Sequence, residues 1–566
     1  MLSKFESIRL FADRATLVQP KFELTDQNAE VVAQTCYRLS GLPLAIELAA
    51  ARVKMMSVEE IARRLDDRFD LLTAGNRTAL PRHQTLRATI DWSFDLLSKP
   101  ERILFCRLSV FAGGFTLGAA EVVASGDDVL QSQVIDLLGQ LINKSLVTVA
   151  THSADADVET RYGMLETIRA YAREKLDETA ETERLRQRQR DFFIALAEQA
   201  APKLKSAEQF ALLDRLELEH DNLRTAWDWA IDRDDVLALR LASALLDFWV
   251  MRGNPSEGRQ WVAQLLPRIS QWGQTAKRAH VLGVAGRLAY SQRDFALAQR
   301  LLEESLAIAR IAGDKKEIAF ALWWLGRTAL RHRDDQITQA FTEECLTIYQ
   351  ELQDQWGTAL AIYQLADLAA VQGHYVEAEQ QYMESLAKFQ ELGDKFRVGY
   401  VLNSLGELAR LLGEYERAGK FYEEHIEILR EQRSPVALVL PSVNHAWVSL
   451  HGGDYRKAKD LFEETLKLSN EYGNKTAMAD CLAGFASFLG MIGKPERAAQ
   501  LFGAVESLLE SIGMPGRMDP SDEKEFNHYV AAVRGQLDEA TFAKAWGDGR
   551  TMTLEQAIEF ALQESR

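Results

Sequence analysis

Cysteine, proline and long apolar runs are all scarce in this sequence of 566 residues. The four cysteines, Cys36, Cys106, Cys345 and Cys481, lie far apart without CxxC spacing, so we expect reduced core thiols rather than zinc ligands or disulfides. Twelve prolines are too few for long disordered linkers. No apolar run approaches the roughly 20 residues of a membrane helix, and the N-terminus has no signal-peptide core. These absences predict a cytoplasmic protein without a membrane segment.

Motifs for phosphate binding, metal binding and catalysis are absent as well. The phosphate-binding loop GxxxxGK[ST] does not occur, because the only Gly-Lys pairs, Gly419-Lys420 and Gly493-Lys494, lack the upstream glycine and the following hydroxyl residue. The ten histidines include no HExxH pair. We therefore predict that the chain is not an enzyme, that it holds no cofactor and no metal, and that titration with a nucleotide produces no saturable effect.

Basic residues are the minority charge. There are 66 Lys and Arg against 83 Asp and Glu, a formal net charge of −17. Attraction to phosphates supplies most of the non-specific affinity for nucleic acid, so DNA binding would require a local basic patch.

The sequence does contain a repeat of forty residues. One column of small residues consists of Gly286, Gly326, Ala366, Gly406, Ala446 and Ala486. A second column, twelve residues further on, consists of Ala298, Thr338, Ala378, Ala418, Ala458 and Ala498. Small side chains at two fixed places in each unit let two antiparallel helices pack closely. The pattern predicts an α-solenoid of six to seven helix pairs over residues 236–515, with a helical cap at 516–566.

Turn residues punctuate the units. Gly313, Gly393 and Gly473 can take positive φ at a helix C-terminus, and the Asp or Asn that follows each of them is typical of an N-cap. The turns inside the units, GHYVEA, GEYERA and GDYRKA, are nearly interchangeable. These features resemble the tetratricopeptide family, although its usual period is about 34 residues. HEAT and armadillo repeats share a period near forty, but they lack the Gly-x-Tyr-x-x-Ala turn.

The segment before the repeats predicts helices and then a β-hairpin. Helix starts are marked by Ser57, Ser98 and Thr116. A β-branched run at 146–149 and a second short strand at 161–164 follow the helical sequence VIDLLGQLINKSL. We predict a winged helix over 82–178, a helical segment at 1–80 and a helical linker at 180–235. The fold class is therefore all-α apart from one small hairpin.

Several motifs here resemble the STAND signalling ATPases, which include the NB-ARC proteins and many bacterial transcriptional regulators. GLPLAIELAAAR contains their GLPL motif at Gly41, Leu42, Pro43 and Leu44. TLRATIDWSFDLL and LFCRLSVFAGGFT match their winged helix, and LELEHDNLR at 216–224 lies between that domain and the repeats. The resemblance covers essentially the whole chain.

The resemblance implies that residues 1–80 are the helical lid of an NTPase module, in which Pro43 would lie over the adenine of a nucleotide. Leu165 stands where the family has a histidine, and the phosphate-binding loop is missing. The GLPL residues are therefore expected to be vestigial. The catalytic half is truncated, lost, or present on a separate NTPase chain, and whether Met1 is the natural start stays open.

The remaining candidate site is a partner-binding groove formed by the first helix of each unit. Its expected lining follows the first small column by one position, or precedes it by three: Arg287, Trp323, Arg327, Tyr363, Asp367, Asn403, Glu407 and Trp447. Charged ends and aromatic patches suit a protein or peptide partner better than a nucleic acid. The alternative is that these positions are ordinary solvated helix faces.

We predict a non-catalytic sensor within a bacterial regulatory protein, which binds a protein or effector with its repeats and relays the signal through the winged helix. The competing hypothesis is a transcriptional regulator that contacts DNA directly through the winged helix. Acidic residues outnumber basic ones over 82–178, so an intramolecular packing role is favoured. A gel shift at low salt separates the two hypotheses.

Overall fold

The computed structural model describes residues 5–25, 28–39, 41–64, 81–150, 159–432, 435–512 and 520–563. These residues form two compact units. The first comprises the described residues up to 199 together with 214–244, and the second comprises 200–213 together with the described residues from 245 onwards. Both are built almost entirely from helices, which confirms the predicted all-α class.

The first unit begins with short helices around one apolar core. They are Glu6–Val18, Ala29–Arg38 and Pro43–Ala50, followed by a 3-10 turn at Ala51–Lys54 and a helix over 58–64. Phe11, Ile46 and Ile61 are fully buried among them. Trp92, on the helix Pro81–Asp95, packs against the same core and ties this segment to the next one.

A winged-helix arrangement follows. Its remaining helices are Lys99–Leu108, Leu117–Val123, Val134–Asn143 and Glu166–Asp177, with a 3-10 turn at Gln131–Gln133. Strands β2 (Thr148–Ala150) and β3 (Arg161–Gly163) form the predicted antiparallel hairpin. A short strand that we did not predict, β1 (Phe115–Thr116), pairs with the other edge of β3 and gives the order β1-β3-β2.

The helix starts of this domain are capped at the predicted residues. Ser98 and Glu101 form a capping box, in which the Ser98 amide donates to Glu101 Oε2 at 2.7 Å. Thr116 Oγ1 accepts from the Ala119 amide at 3.2 Å. These bonds satisfy amides that a helix cannot pair internally.

Four helices continue the chain: Thr182–Lys203, Gln209–Leu218, His220–Ile231 and Asp235–Ala244. The LELEHDNLR sequence fastens this region to the winged helix. Asn222 accepts a hydrogen bond from the Ala112 amide and donates one to the Gly114 carbonyl, both at 2.8 Å. Glu219 forms an ion pair with Arg161 of β3, and both side chains are buried.

The second unit contains six helix pairs that follow the predicted period. They come after the helices Leu246–Met251 and Pro255–Leu265 and a 3-10 turn at Ile269–Trp272. Naming the first helix of each pair A and the second B, repeats 1 to 6 are Ala276–Ser291 with Phe295–Ala312, Lys315–Arg331 with Asp335–Glu351, Gln355–Val371 with Tyr375–Leu392, Lys395–Leu411 with Tyr415–Glu431, Pro435–His451 with Tyr455–Glu471, and Lys475–Met491 with Pro495–Ser511.

The two columns of small residues lie where helices A and B of a repeat pack together. All six members of the second column are fully buried. A Cβ added at Gly286 would lie 2.6 Å from Leu302 Cγ, and one added at Gly406 would lie 2.7 Å from the Tyr422 ring. The columns are small because a larger residue would collide with the partner helix.

The turns between helices also match the sequence pattern. Asp314, Asp394 and Asn474 each accept a hydrogen bond from an amide in the first turn of the next helix. The glycines that precede them have positive φ. Where a repeat lacks glycine at a turn, other residues take the same conformation, namely Arg293, Arg333 and Gln353, with φ of 62°, 59° and 55°.

Three helices, Pro520–Arg534, Glu539–Arg550 and Leu554–Leu562, pack over repeat 6. Thr553 and Gln556 form a capping box at the start of the last of these helices. A Cβ on Gly549 would lie 1.9 Å from the Gln500 carbonyl oxygen, so this cap meets repeat 6 backbone to backbone.

Within the described ranges, no helix is long and apolar enough to cross a membrane. No group of three His, Cys, Asp or Glu side chains in these ranges is placed to hold a metal ion. All four cysteines are buried and free of disulfides.

Candidate functional site

The A helices of successive repeats contact each other directly, and their shared surface is called the A face here. The predicted groove residues belong to this surface. Five of them occupy one column with a spacing of forty residues: Arg287, Arg327, Asp367, Glu407 and Trp447. Asp247, on the helix before repeat 1, extends that column by one more step.

Charges in this column form ion pairs between neighbouring repeats. Arg287 Nη2 lies 2.6 Å from Asp247 Oδ1, and Arg327 pairs with Asp367 in the same way. Burial raises the pKa of Asp247, but the positive charges of Arg287, Lys205 and Arg397 outweigh burial and lower that pKa to about 2. These charges therefore join the repeats to one another.

The carboxylates of the column also accept hydrogen bonds from helix B. Tyr382 donates to Asp367 Oδ1 and Tyr422 donates to Glu407 Oε1, each at 2.6 Å. Asn444 donates to Glu407 at 2.8 Å. Tyr382 and Tyr422 are buried, so each contributes both to the core and to the A face.

The predicted aromatic residues of the groove are buried. Trp323 Nε1 donates to the Leu360 carbonyl at 3.1 Å, and the Tyr363 hydroxyl lies 3.1 Å from Ser404 Oγ. Trp447 stacks with His451. The remaining residue, Asn403, is half-buried, and its Oδ1 has no hydrogen-bond partner. Most predicted groove side chains therefore already have partners within the solenoid.

Arg397, at the start of helix A of repeat 4, was not among the predicted site residues. Its Cζ lies 5.4–5.9 Å from the centroids of four rings, those of Trp323, Trp356, Phe396 and Tyr400. Tyr400 is 47% exposed, so this aromatic box has an open side. The sequence KFRVGY places the arginine between two aromatic residues, but Trp323 and Trp356 come from other repeats.

The Arg397 guanidinium lacks a close anionic partner among the described residues. Its Nε is buried without a hydrogen bond. Burial lowers the pKa of Arg397, and the opposing effect of Asp394 does not fully compensate. Asp394 itself is occupied, because its Oδ2 accepts from the Trp356 indole at 2.7 Å. The box therefore presents a desolvated cation framed by aromatic rings, which suits an anionic group of a ligand.

The GLPL residues lie at the start of the helix Pro43–Ala50. Gly41 has φ of 65°, and Pro43 occupies the first helical turn and is exposed. Arg52, the arginine that closes the motif, is fully buried and reaches only the Ser93 carbonyl.

One helix of the winged helix, the last before the hairpin, lacks basic residues. Val134–Asn143 occupies the position of a recognition helix, and its exposed residues include Ile135, Asp136 and Gln140. It contains no Lys or Arg, and the next residue, Lys144, pairs with Glu101.

Comparison with known proteins places these domains in families. A winged helix-turn-helix domain model matches residues 97–177, and a tetratricopeptide repeat model matches residues 357–431. The chain therefore contains a winged helix-turn-helix domain and tetratricopeptide repeats.

Two curated proteins are similar to this chain in sequence. "Putative HTH-type transcriptional regulator Rv0890c" of Mycobacterium tuberculosis is 42% identical over 325 residues, which cover 56% of this chain and 36% of the relative. The chain thus matches only about a third of the length of that protein. "Uncharacterized protein Rv0894" of the same organism is 42% identical over 179 residues, covering 31% of this chain and 44% of the relative.

A solved structure shares the fold. It is a Signal Transduction ATPase with Numerous Domains (STAND) protein with a tetratricopeptide repeat sensor from Pyrococcus horikoshii, with a TM-score of 0.51, 16% identity, and coverage of 92% of this chain and 74% of that one. The domain matches confirm the predicted winged helix and tetratricopeptide repeats, and the neighbour shares the fold over most of the chain.

Proposed function

We propose that this chain is a non-catalytic sensing module of a regulatory protein, and that its repeats bind a protein or peptide segment on the A face. The observation that carries the proposal is the Arg397 box, in which an arginine that forms no ion pair within the described part of the chain lies among four aromatic rings. Arginine and large aromatic residues dominate the binding energy of protein interfaces.

Charge indicates the chemistry of the ligand. Three cations, Lys205, Arg287 and Arg397, interact electrostatically with Asp247, while the second nearby carboxylate, Asp394, is used in hydrogen bonds. This is a local excess of positive charge in a chain of net charge −17. A ligand with a carboxylate beside an apolar or aromatic group complements it.

The test is a screen of immobilised peptides against the full chain, followed by fluorescence anisotropy on the best binder. Arg397→Gln should weaken binding by about tenfold or more, since a desolvated charge pair at an interface centre is worth at least about 1.4 kcal/mol. Tyr400→Ala should act in the same direction because Tyr400 forms the open wall of the box.

The matched control is Arg417→Gln. Arg417 lies on helix B, has a side chain that is 42% exposed, and already pairs with Glu379 and Glu414. We expect its substitution to leave affinity unchanged. Equal affinity in the Arg397→Gln variant would contradict the assignment of the box, and the absence of any binder would contradict the sensing function itself.

Direct DNA contact through the winged helix is the competing proposal, supported by the name of the mycobacterial relatives. The acidic and apolar face of Val134–Asn143 weighs against it. We expect no shifted complex in a low-salt gel shift with the full chain. A saturable, salt-dependent shift would favour DNA contact instead.

A further inference from the structure

Residues 204–210 pack against the repeats within the second unit. This segment follows the helix Thr182–Lys203 and includes the first two residues of the helix Gln209–Leu218. Gln209 is fully buried. Its Nε2 donates to Asp394 Oδ1 at 3.0 Å and to the Leu204 carbonyl at 3.1 Å, and its Oε1 accepts from the Phe396 amide at 2.7 Å. The Gln209 side chain is thus hydrogen-bonded both to residues 204–210 and to the start of repeat 4.

Two further contacts locate the segment. Lys205 Nζ lies 3.8 Å from the centroid of the Trp356 ring. A Cβ added at Gly393, which has φ of 73°, would lie only 2.8 Å from the Ala207 nitrogen. The segment can approach the turn before repeat 4 because glycine occupies that turn.

The start of repeat 4 differs from its counterpart in repeat 2 in a way that receives this segment. In repeat 2, the amide of Lys316 donates to its own cap residue, Asp314, at 3.0 Å. In repeat 4, the equivalent amide of Phe396 donates to Gln209 instead. The Asp394 carboxylate still accepts a hydrogen bond from the Arg397 amide, and it also accepts hydrogen bonds from the Gln209 and Trp356 side chains. The cap of repeat 4 is therefore shared with residues 204–210.

The segment is held mainly by polar contacts. The polar groups that would be uncovered are a side-chain amide, a backbone amide and a carboxylate, all of which water can hydrogen-bond after separation. Leu204 is the one apolar side chain of the segment that is fully buried. Ala207 and Glu208 are already exposed. Apart from Leu204, detachment uncovers mainly polar groups that water satisfies, so we expect the segment to separate while the repeats stay folded.

The flanks of the segment belong to the first unit and are fixed there. Gln189 donates to the Asn222 carbonyl at 3.1 Å, and Glu219 pairs with Arg161 of the winged helix. The chain thus leaves the first unit at residue 200, contacts the repeats and returns at 214.

We propose that residues 204–210 are an internal latch whose release carries the binding signal from the repeats toward the winged helix. The inference rests on the proposed function, because the latch and the Arg397 box share Trp356 and Phe396. The latch bonds to the backbone amide of Phe396 and places Lys205 on the Trp356 ring, and the rings of both residues frame Arg397, so a partner in the box that moves these rings also disturbs the latch. Release then loosens the helices on either side of the latch through the continuous chain.

Hydrogen exchange of the full chain, measured by mass spectrometry, tests the latch. Gln209→Ala removes three hydrogen bonds, so exchange over 204–210 and at the start of repeat 4 should rise by about tenfold or more, while 475–491 stays unchanged. Lys205→Ala should give a smaller rise. Glu208→Ala is the matched control, since the Glu208 side chain is exposed and pairs with Lys203 rather than with the repeats. Unchanged exchange in Gln209→Ala, or an equal rise in all repeats, would overturn the latch.

The same hydrogen-exchange data also test whether release of the latch loosens the helices on either side of it. Exchange over 182–199 and 214–231 should also rise in Gln209→Ala. If these flanks keep wild-type exchange while 204–210 opens, the relay is wrong.

A peptide supplied in trans tests whether the surface recognises this segment. The acetylated and amidated peptide APKLKSAEQFALL, added to the Gln209→Ala chain, should restore protection at the start of repeat 4, and the same peptide with alanine in place of its glutamine should not. No restored protection would contradict specific recognition.

The two proposals fail separately. If no partner peptide binds while Gln209→Ala opens the latch, the sensing function fails and the latch stands. If partner peptides bind while exchange in Gln209→Ala is unchanged, the latch fails and the sensing function stands.

Discussion

The turns of the repeats do not all contain the glycine that the forty-residue pattern favours. Positive φ is costly for residues with a Cβ, by about 1–2 kcal/mol in the left-handed helical region. Most turns avoid this cost with glycine, yet Gln353 occupies the same position as Gly313 and Gly393 with φ of 55°. The conformation is imposed by the two helices that the turn connects rather than by the residue in it.

Gln353→Gly should therefore stabilise the protein, by about 0.5–1 kcal/mol after the entropy of glycine in the unfolded chain is subtracted. Gln350→Gly is the control, because Gln350 is exposed within the preceding helix. That change should destabilise by about half a kcal/mol or more. Urea unfolding measures both. A loss of stability in Gln353→Gly would show that the glutamine side chain contributes more than its backbone strain costs.

Two histidines on the repeats have lowered pKa values, so their protonation should destabilise the folded protein. Burial lowers the pKa of His425 to about 4, and burial together with Lys457 lowers that of His445 to about 4 despite Glu423. The unfolded value is near 6.5, so the unfolded chain binds more protons between pH 6.5 and pH 4. Stability supplied by these residues is therefore present above pH 6.5 and lost as the pH falls.

Between pH 7 and pH 5, each histidine should remove roughly 1–2 kcal/mol from the free energy of unfolding. His445→Gln should reduce the loss, as measured by urea midpoints at the two pH values. His280 is a control of opposite sign, because its hydrogen bond to Glu317 outweighs burial and raises its pKa. His280→Gln should steepen the loss on acidification. Identical pH profiles in all three proteins would refute the assignment.

At the scale of helices, small residues allow close packing both within every repeat and at the contact between repeat 6 and the C-terminal cap. The columns at forty-residue spacing follow from the sequence, because the same contact recurs in every repeat. The contact between repeat 6 and the C-terminal cap does not recur. There, Gly549 faces the Gln500 carbonyl and Gly503 faces the Trp546 carbonyl, with room for no Cβ on either side.

Gly549→Ala should destabilise the cap by about 2 kcal/mol or more, because the added Cβ meets a backbone oxygen that cannot move without its helix. Gly547→Ala, two residues earlier in the same helix, is the control, since nothing lies within 4 Å of its added Cβ. It should stabilise by up to about 1 kcal/mol through helix propensity alone. Thermal melts of the two variants would then shift in opposite directions, and shifts of the same sign would contradict the contact.

At the scale of the whole molecule, the most informative contacts join residues about forty or nearly two hundred positions apart. Arg327 meets Asp367 across one repeat, while Gln209, which precedes repeat 1, meets Asp394 at the start of repeat 4. The first type stiffens the array of repeats from within. The second ties a chain segment that begins and ends in the other unit to the middle of that array.

The candidate site shows how far sequence reasoning reaches. The column of Arg287, Arg327, Asp367 and Glu407 could be located on the A face, because its spacing equals the repeat period. Its pairing could not be foreseen, since a periodic pattern says which residues share a face but not whether they meet each other or a ligand. Arg397 was missed because two of its four aromatic neighbours belong to other repeats.

The sequence by itself determined the repeats, their caps and the winged-helix hairpin, because these features rest on interactions between residues close together in the chain or on a contact repeated six times. Only the tertiary structure decided which charges neutralise each other, which glycines face a backbone and where residues 204–210 dock. Those features are single, long-range contacts that leave no periodic trace in the sequence.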